Sequence, residues 1–222
     1  MSRELSRFVI AIDGPAGAGK STVSKALARE LGLRYLNTGA MYRALALKAS
    51  RVGVSDRDGD AAAHLMETST IDFGHGDPPP VFLDGEDVSV VILSPEISES
   101  ASRISEFAAV RKAMVALQQQ MVSVGGVVLE GRDATTVIAP DADVKVFLTA
   151  SLEERAKRRT LEYDEKGQPV EFRNVRHDMQ QRDHRDITRE DSPLTVAPDA
   201  HIIESGGISV SEVVDRIKQL VG

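Results

Sequence analysis

The sequence predicts an α/β fold: a five-stranded parallel sheet flanked by helices, with a small antiparallel β insertion and a helical lid. Three observations carry this expectation. Five short apolar runs are separated by stretches of helical spacing, the pattern of a parallel sheet covered on both faces. A glycine-rich loop joins the first run to the first helical stretch. Two long segments break the alternation, one rich in turn signals and the other in arginine.

The first run is Phe8 to Ile12, and the helical stretch after the loop carries Val23, Ala26, Leu27 and Leu31 before closing at Gly32. Leu33 to Leu36 is the second run, Val127 to Leu129 the third, Val144 to Leu148 the fourth and His201 to Ile203 a weaker fifth. The last helix opens on a capping box, Ser209 to Glu212, and sets Val213, Val214, Ile217, Leu220 and Val221 on one face. Residues 71–94 hold Asp72-Phe73, the breaker Asp77-Pro78-Pro79-Pro80, then Val81-Phe82-Leu83 and an Asp84-Gly85 turn signal. That composition reads as a small antiparallel unit. Ser94-Pro95 has N-cap and N1 chemistry for a helix, and Val110, Met114, Leu117 and Met121 form a further apolar stripe, read as core.

The segment from Ser151 to Pro193 is mostly polar and holds Arg155, Arg158, Arg159, Arg173, Arg176, Arg182, Arg185 and Arg189, interleaved with Asp183 and Asp186. Solvated helices with i,i+4 ion pairs would use lysine and glutamate equally well. Arginine dominates instead, as expected where a planar fork must clamp phosphate. Lys166-Gly167-Gln168-Pro169 divides the segment into two helices with a hinge between them, the form of a mobile lid. The chain is therefore read as one domain. Its core is residues 1–62, 96–150 and 194–222, with an insertion at about 63–95 and a lid at about 151–193.

Composition narrows the function. The 222 residues include 27 basic and 34 acidic side chains, a formal charge of −7, which argues against a dedicated nucleic-acid binder. With no cysteine there is no disulfide and no thiolate metal site. His64, His75, His177, His184 and His201 lack metal-ligand spacing. Met1 to Leu5 opens no long apolar segment and no run reaches membrane-spanning length, so a cytoplasmic protein without a membrane partner is expected.

Gly14-Pro15-Ala16-Gly17-Ala18-Gly19-Lys20-Ser21 is a complete G-x-x-x-x-G-K-[ST] phosphate-binding loop between a strand and a helix start. Glycines let successive backbone N–H groups converge on phosphate oxygens, and the helix turns its positive end toward them. Lys20 supplies a point charge for the β/γ-phosphates, and the Ser21 hydroxyl a ligand for Mg²⁺. A guanine-specific switch would carry an Asn-Lys-x-Asp element, which is absent. Val127-Val128-Leu129-Glu130 could end in a magnesium-binding acid as in a motor ATPase, but it runs straight into Gly131-Arg132-Asp133. An arginine at that sheet edge suits a second, anionic substrate facing the triphosphate. Thr38, expected as an N-cap, opens a helix carrying Arg43, a second cation for that acceptor.

With these elements together the chain resembles the bacterial-type cytidylate kinases, nucleoside monophosphate kinases of the P-loop NTPase fold. The resemblance rests on Gly14 to Thr22, Thr38-Gly39-Ala40-Met41-Tyr42-Arg43, the insertion before Ser102, Gly131-Arg132-Asp133, and Arg182-Asp183-His184-Arg185-Asp186-Ile187-Thr188-Arg189. It implies transfer of the γ-phosphoryl group of ATP to CMP or dCMP with Mg²⁺, by a monomer. Carried over by residue, it implies that Gly14 to Thr22 and Arg158 hold ATP, and that Ser21 meets the metal. Arg43, Arg132 and Arg189 would hold the acceptor phosphate; Ser102, Arg111 and Asp133 would read cytosine, with Thr38 near its amine. Arg182 and Asp186 would contact the sugar, and Lys20, Arg132, Arg159 and Arg189 would act in transfer. Two departures stand out: Glu130 replaces the aspartate common before Gly-Arg-Asp, and Ala134-Thr135-Thr136 replaces an apolar-Gly-Thr sequence.

Overall fold

A computed structural model describes residues 5–165 and 167–221. Met1 to Glu4 of the N-terminal reading, Lys166 of the expected hinge and Gly222 lie outside the described residues. The five apolar runs become β1 (Val9–Asp13), β2 (Arg34–Asn37), β6 (Val127–Glu130), β7 (Val144–Thr149) and β8 (His201–Glu204). They form one parallel sheet in the order β2-β6-β1-β7-β8.

The two-residue period of the strands divides the core between the two faces of the sheet. Ala11, Val127 and Leu129 face one apolar cluster with α2 (Thr38–Arg51) and α5 (Ala108–Ser123). Ile10, Ile12, Val128, Val146 and Leu148 face another, with α1 (Lys20–Leu31) and α8 (Val210–Val221). The capping box at α8 is formed, with Ser209 N–H donating to Glu212 at 2.8 Å and Glu212 N–H to Ser209 Oγ at 3.2 Å. Register brings Asn37, Glu130 and Asp13 to one edge of the sheet, since Glu130 is level with both Ile12 and Asn37.

α3 (Gly59–Thr68) crosses residue 62, and β3 (Ile71–Phe73), β4 (Val81–Leu83) and β5 (Glu86–Asp87) form the expected antiparallel sheet. This small sheet does not stand alone, because Ile71, Val81, Leu83, Val88 and Ile92 enter the same cluster as α2 and α5. α4 (Pro95–Ile104) follows, with Ser94 Oγ accepting from Ile97 N–H at 3.2 Å and Pro95 at the first position. Val110 and Met114 of α5 are buried in that cluster, and Leu117 and Met121 pack against it.

The arginine-rich segment forms α6 (Leu152–Glu165) and α7 (Phe172–Thr188). Ala156, Val175 and Met179 make a small apolar seam beside Ala16, so the helical pair rests on the phosphate loop itself. Two glycines shape this loop: Gly17 lets the helical pair approach it, and Gly14 lets it pass against β7. A Cβ on Gly14 would lie 1.9 Å from Leu148 O, and one on Gly17, at φ +75, 2.7 Å from Met179 Cε.

If the insertion folds as part of the main core, Leu83→Ala should cost about 2–5 kcal/mol of stability, like other buried leucine truncations. Urea unfolding should then show one transition shifted to lower denaturant; a second transition for the insertion alone would contradict the shared core.

Candidate active site

The strand ends, α2, α4, α5 and the lid enclose a cleft of about 1390 Å³, larger than the about 300–1,000 Å³ of one small-ligand site. It runs from Gly17-Ala18-Gly19-Lys20-Ser21-Thr22 at one end to Tyr42, Ser102, Arg111 and Asp133 at the other. A shallower hollow of about 520 Å³ lies by the starts of β1 and β6, between Arg7, Gln119 and Asp141, and no cluster of cations converges on it.

The phosphate loop closes on its own lysine, whose Nζ donates to Gly14 O at 2.7 Å and Pro15 O at 2.8 Å. Burial, then Arg132, pushes Lys20 well below the ordinary lysine range, against the pull of Glu130, Asp13 and Asp186. Asp13, at the end of β1, is fully buried and accepts from Ala134 N–H at 2.8 Å, Thr135 N–H at 2.7 Å and Thr135 Oγ1–H at 2.6 Å. Gly131 N–H donates to Ile12 O at 3.0 Å. These bonds fasten the loop bearing Arg132 and Asp133 to the strand that launches the phosphate loop. Where the family pattern has glycine, residues 134–138 form a π-helical turn, and the Thr135 hydroxyl becomes a ligand of Asp13.

Asn37, rather than the expected Thr38, caps α2, its Oδ1 accepting from Ala40 N–H at 2.9 Å. Both are short polar residues suited to a cap; Thr38 begins the helix and its hydroxyl donates to Glu130 O at 2.7 Å. Above it the Tyr35 hydroxyl donates to Glu130 Oε1 and accepts from Asn37 Nδ2 at 3.1 Å. Burial, then Glu130, raises the Tyr35 phenol well above its usual range, and the Ser21 hydroxyl also bonds it. Tyr35 thus joins the start of α1 to the ends of β2 and β6.

The acceptor end is built from paired and unpaired arginines. Arg111 is hydrogen-bonded to Asp133 in a buried pair and lies 5.8 Å over the Tyr42 ring. Arg132 Nε donates to Asp186 at 2.7 Å, and Arg189 Nη1 lies 3.7 Å from the same carboxylate. Burial and Arg132 lower Arg182 to about 10, against the pull of Asp186. Arg43 is lowered by burial, and Arg189 by burial and Arg111. Arg43 Nε, Arg111 Nε, Arg182 Nε, Arg189 Nη2 and the Tyr42 hydroxyl are buried without a hydrogen-bond partner among the described residues. Natural interiors rarely leave such groups unpaired. Arg43, Arg182 and Arg189 also line the cleft, and an anion bound there would offset their charge.

The remaining lid residues divide. Arg158 donates to Ser205 O at 2.6 Å and Ser205 Oγ at 3.2 Å beside the phosphate loop. Arg159 pairs with Glu162 at 2.8 Å and stacks over Tyr163 at 4.8 Å, while still lining the cleft. Ser102 accepts from Arg185 at 3.2 Å. Arg155, one of the arginines expected to clamp phosphate, is instead a tie: it holds Ala16 O at 3.0 Å and Asp183 at 2.7 Å. Asp13 and Tyr35 were not singled out from the sequence, where each reads as an ordinary residue of an apolar strand.

Burial alone would raise Asp186, but Arg132, Arg182 and Arg189 outweigh it and hold the carboxyl below its ordinary value of 3.8. Its contribution to stability is therefore complete above that value and is lost as pH falls through the lower folded-state value. At neutral pH Asp186→Asn should cost about 3–5 kcal/mol, as for breaking one side of a buried pair. Urea unfolding at stepped pH should show the gap to the wild type shrinking on acidification below 3.8. A gap that stays constant into strong acid would contradict the pairing.

The sequence profile of the family described as Cytidylate kinase matches residues 10–222. A cytidylate kinase of Desulfitobacterium hafniense is 48% identical over 211 residues, covering 95% of this chain and 91% of its own. One from Mycolicibacterium paratuberculosis is 44% identical over 219 residues, covering 97% of this chain and 96% of its own. Among solved structures, a shikimate kinase of Bacteroides thetaiotaomicron superposes with a TM-score of 0.50 at 13% identity, over 96% of this chain and 98% of the other. TT1252 of Thermus thermophilus superposes at 0.50 and 18% identity, over 97% and 96%. These two likenesses speak for the P-loop kinase fold alone. The sequence matches, which run nearly end to end, go further: the chain belongs to the cytidylate kinase family.

Proposed function

We propose that this protein transfers the γ-phosphoryl group of ATP to CMP or dCMP, giving CDP or dCDP and ADP. The observation that carries the reading is that Arg43, Arg132, Arg182 and Arg189 line the same cleft as the phosphate loop. A switch that only senses a triphosphate needs the loop and not the second set. The reading places the enzyme in the cytoplasm, as a monomer working in pyrimidine nucleotide metabolism.

The backbone from Gly14 to Thr22 would take the ATP phosphates, with Arg158 and Arg159 closing from the lid. Arg43, Arg132 and Arg189 would hold the phosphate of the acceptor, Arg182 and Asp186 its sugar. An oxygen of that phosphate attacks the γ-phosphorus, and the bond to the β–γ bridging oxygen breaks as ADP leaves. The attacking oxygen is already anionic near neutral pH, since a phosphate monoester loses its second proton near pH 6. No general base is required. Catalysis then consists of alignment and charge neutralisation, which Lys20 and Arg132 supply between donor and acceptor.

The Ser21 hydroxyl and the Glu130 carboxylate, bridged by Tyr35, are hard oxygen donors that fit Mg²⁺. With ATP bound, the ion would neutralise phosphate charge. At the base, Asp133 would accept from the cytosine amine and repel the uracil carbonyl, with Arg111 holding the carboxylate in place and Thr38 nearby.

An ADP-release assay with CMP, dCMP, UMP, AMP and GMP tests the assignment; turnover with AMP and none with CMP would overturn it. Lys20→Ala should lower kcat by about 10²–10³-fold without unfolding the protein. Asp133→Asn should cut the preference for CMP over UMP by about a hundredfold, and unchanged selectivity would remove Asp133 from base reading.

A further inference from the structure

One arginine of the lid spans to the acceptor side without belonging to the phosphate-holding set. Arg185 lies on α7 between Arg182 and Arg189. Its Nη2 donates to Ser102 Oγ at 3.2 Å and to the Glu99 carboxylate at 3.1 Å, both on α4. Its Nε lies 3.6 Å from Glu106, in the turn after that helix. Glu99 is held in turn by Arg103 at 3.0 Å, which is also paired with Asp56. The guanidinium is therefore braced by two carboxylates, and the serine hydroxyl is a third partner.

That third contact has a definite polarity. A serine hydroxyl has one proton and two lone pairs. A guanidinium has donors only, so Ser102 Oγ must be the acceptor of this bond. Among the described residues no protein acceptor takes the Ser102 proton. The positive charge turns the O–H dipole away from Arg185, and Ser102 is a buried residue lining the cleft. The proton is thus offered to the ligand. A cytosine ring presents acceptors at O2 and N3, whereas uracil carries a proton on N3.

We infer that Arg185 is a positioning residue that makes Ser102 a hydrogen-bond donor to the base, so that the seating of the lid helix and recognition of the base are one event. This rests on the proposal that the acceptor is a cytidine nucleotide. Asp133 and Ser102 then have opposite roles on the base, one accepting from the amine and the other donating to the ring.

The test is a double-mutant cycle on the full-length enzyme. Wild type, Arg185→Ala, Ser102→Ala and the double variant are compared for kcat and KM with CMP, UMP and ATP. Each single variant should raise KM for CMP and reduce the CMP:UMP preference, both by about tenfold, with a smaller change in kcat and no change in KM for ATP. The double variant should be no worse than either single one, because both remove the same bond. Arg185→Lys, which keeps a donor, should recover part of the base preference. Multiplicative losses in the double variant, or an unchanged CMP:UMP ratio in Arg185→Ala, would overturn the inference. Should Arg185→Ala fail to fold by circular dichroism, the cycle with Arg185→Met, which keeps the bulk and removes the donor, decides in the same way. Wild type that turns over UMP or AMP and not CMP would instead overturn the underlying substrate assignment, and is seen before any variant is made.

Discussion

Cations buried close together are the constraint on which the rest of this cleft depends. Lys20, Arg43, Arg182 and Arg189 are each pushed by burial toward losing their charge, and Arg132 adds to the effect on Lys20 and Arg182. Such an arrangement is unfavourable in isolation, because repulsion grows as the local dielectric falls. It persists only where surrounding structure holds each group, and it becomes favourable once anions enter. A triphosphate and a monophosphate together bring more negative charge than the nearby carboxylates supply. The site is thus destabilised in the manner that its ligands would relieve.

What prevents collapse is the way each carboxylate is already committed. Asp13 spends its lone pairs on the backbone of residues 134 and 135 and on the Thr135 hydroxyl, so it cannot swing toward Lys20. Asp133 is occupied by Arg111, Asp186 by Arg132, and Glu130 by Tyr35. Lys20 is tethered to two carbonyls of its own loop and not to a carboxylate. Groups fixed before the ligand arrives need no reorganisation when charge moves, and that is where most catalytic advantage in phosphoryl transfer originates.

The parts legible in the sequence were those with a local signature. Strand period, the Gly14 to Ser21 loop, the Ser94-Pro95 start and the Ser209–Glu212 box each lie within a few residues, and all of these elements are present. The illegible parts depend on distant partners. Arg155 and Arg182 look alike in an arginine-rich stretch, but one meets Ala16 O, 139 residues away, while the other has a buried Nε with no partner among the described residues. Nothing within the segment distinguishes a tie from a clamp. Asp13 and Tyr35 were hidden for a related reason, since their meaning comes from β6 and the turn after it, which only the parallel register brings alongside.

The two departures from the family pattern are explained by those same distant partners. A glutamate at position 130 carries its carboxyl one methylene farther than an aspartate, and Tyr35, itself held by Asn37, is placed to receive it there. A threonine at 135 lacks the freedom of glycine, but the π-helical turn gives it an allowed conformation, and its hydroxyl adds a third donor to Asp13. In both places the hydrogen-bonding neighbours, and not the side chain alone, set the local geometry. A motif therefore records only part of what holds such a site together. The rest is a pattern of charge fixed in space by partners that lie far apart along the chain.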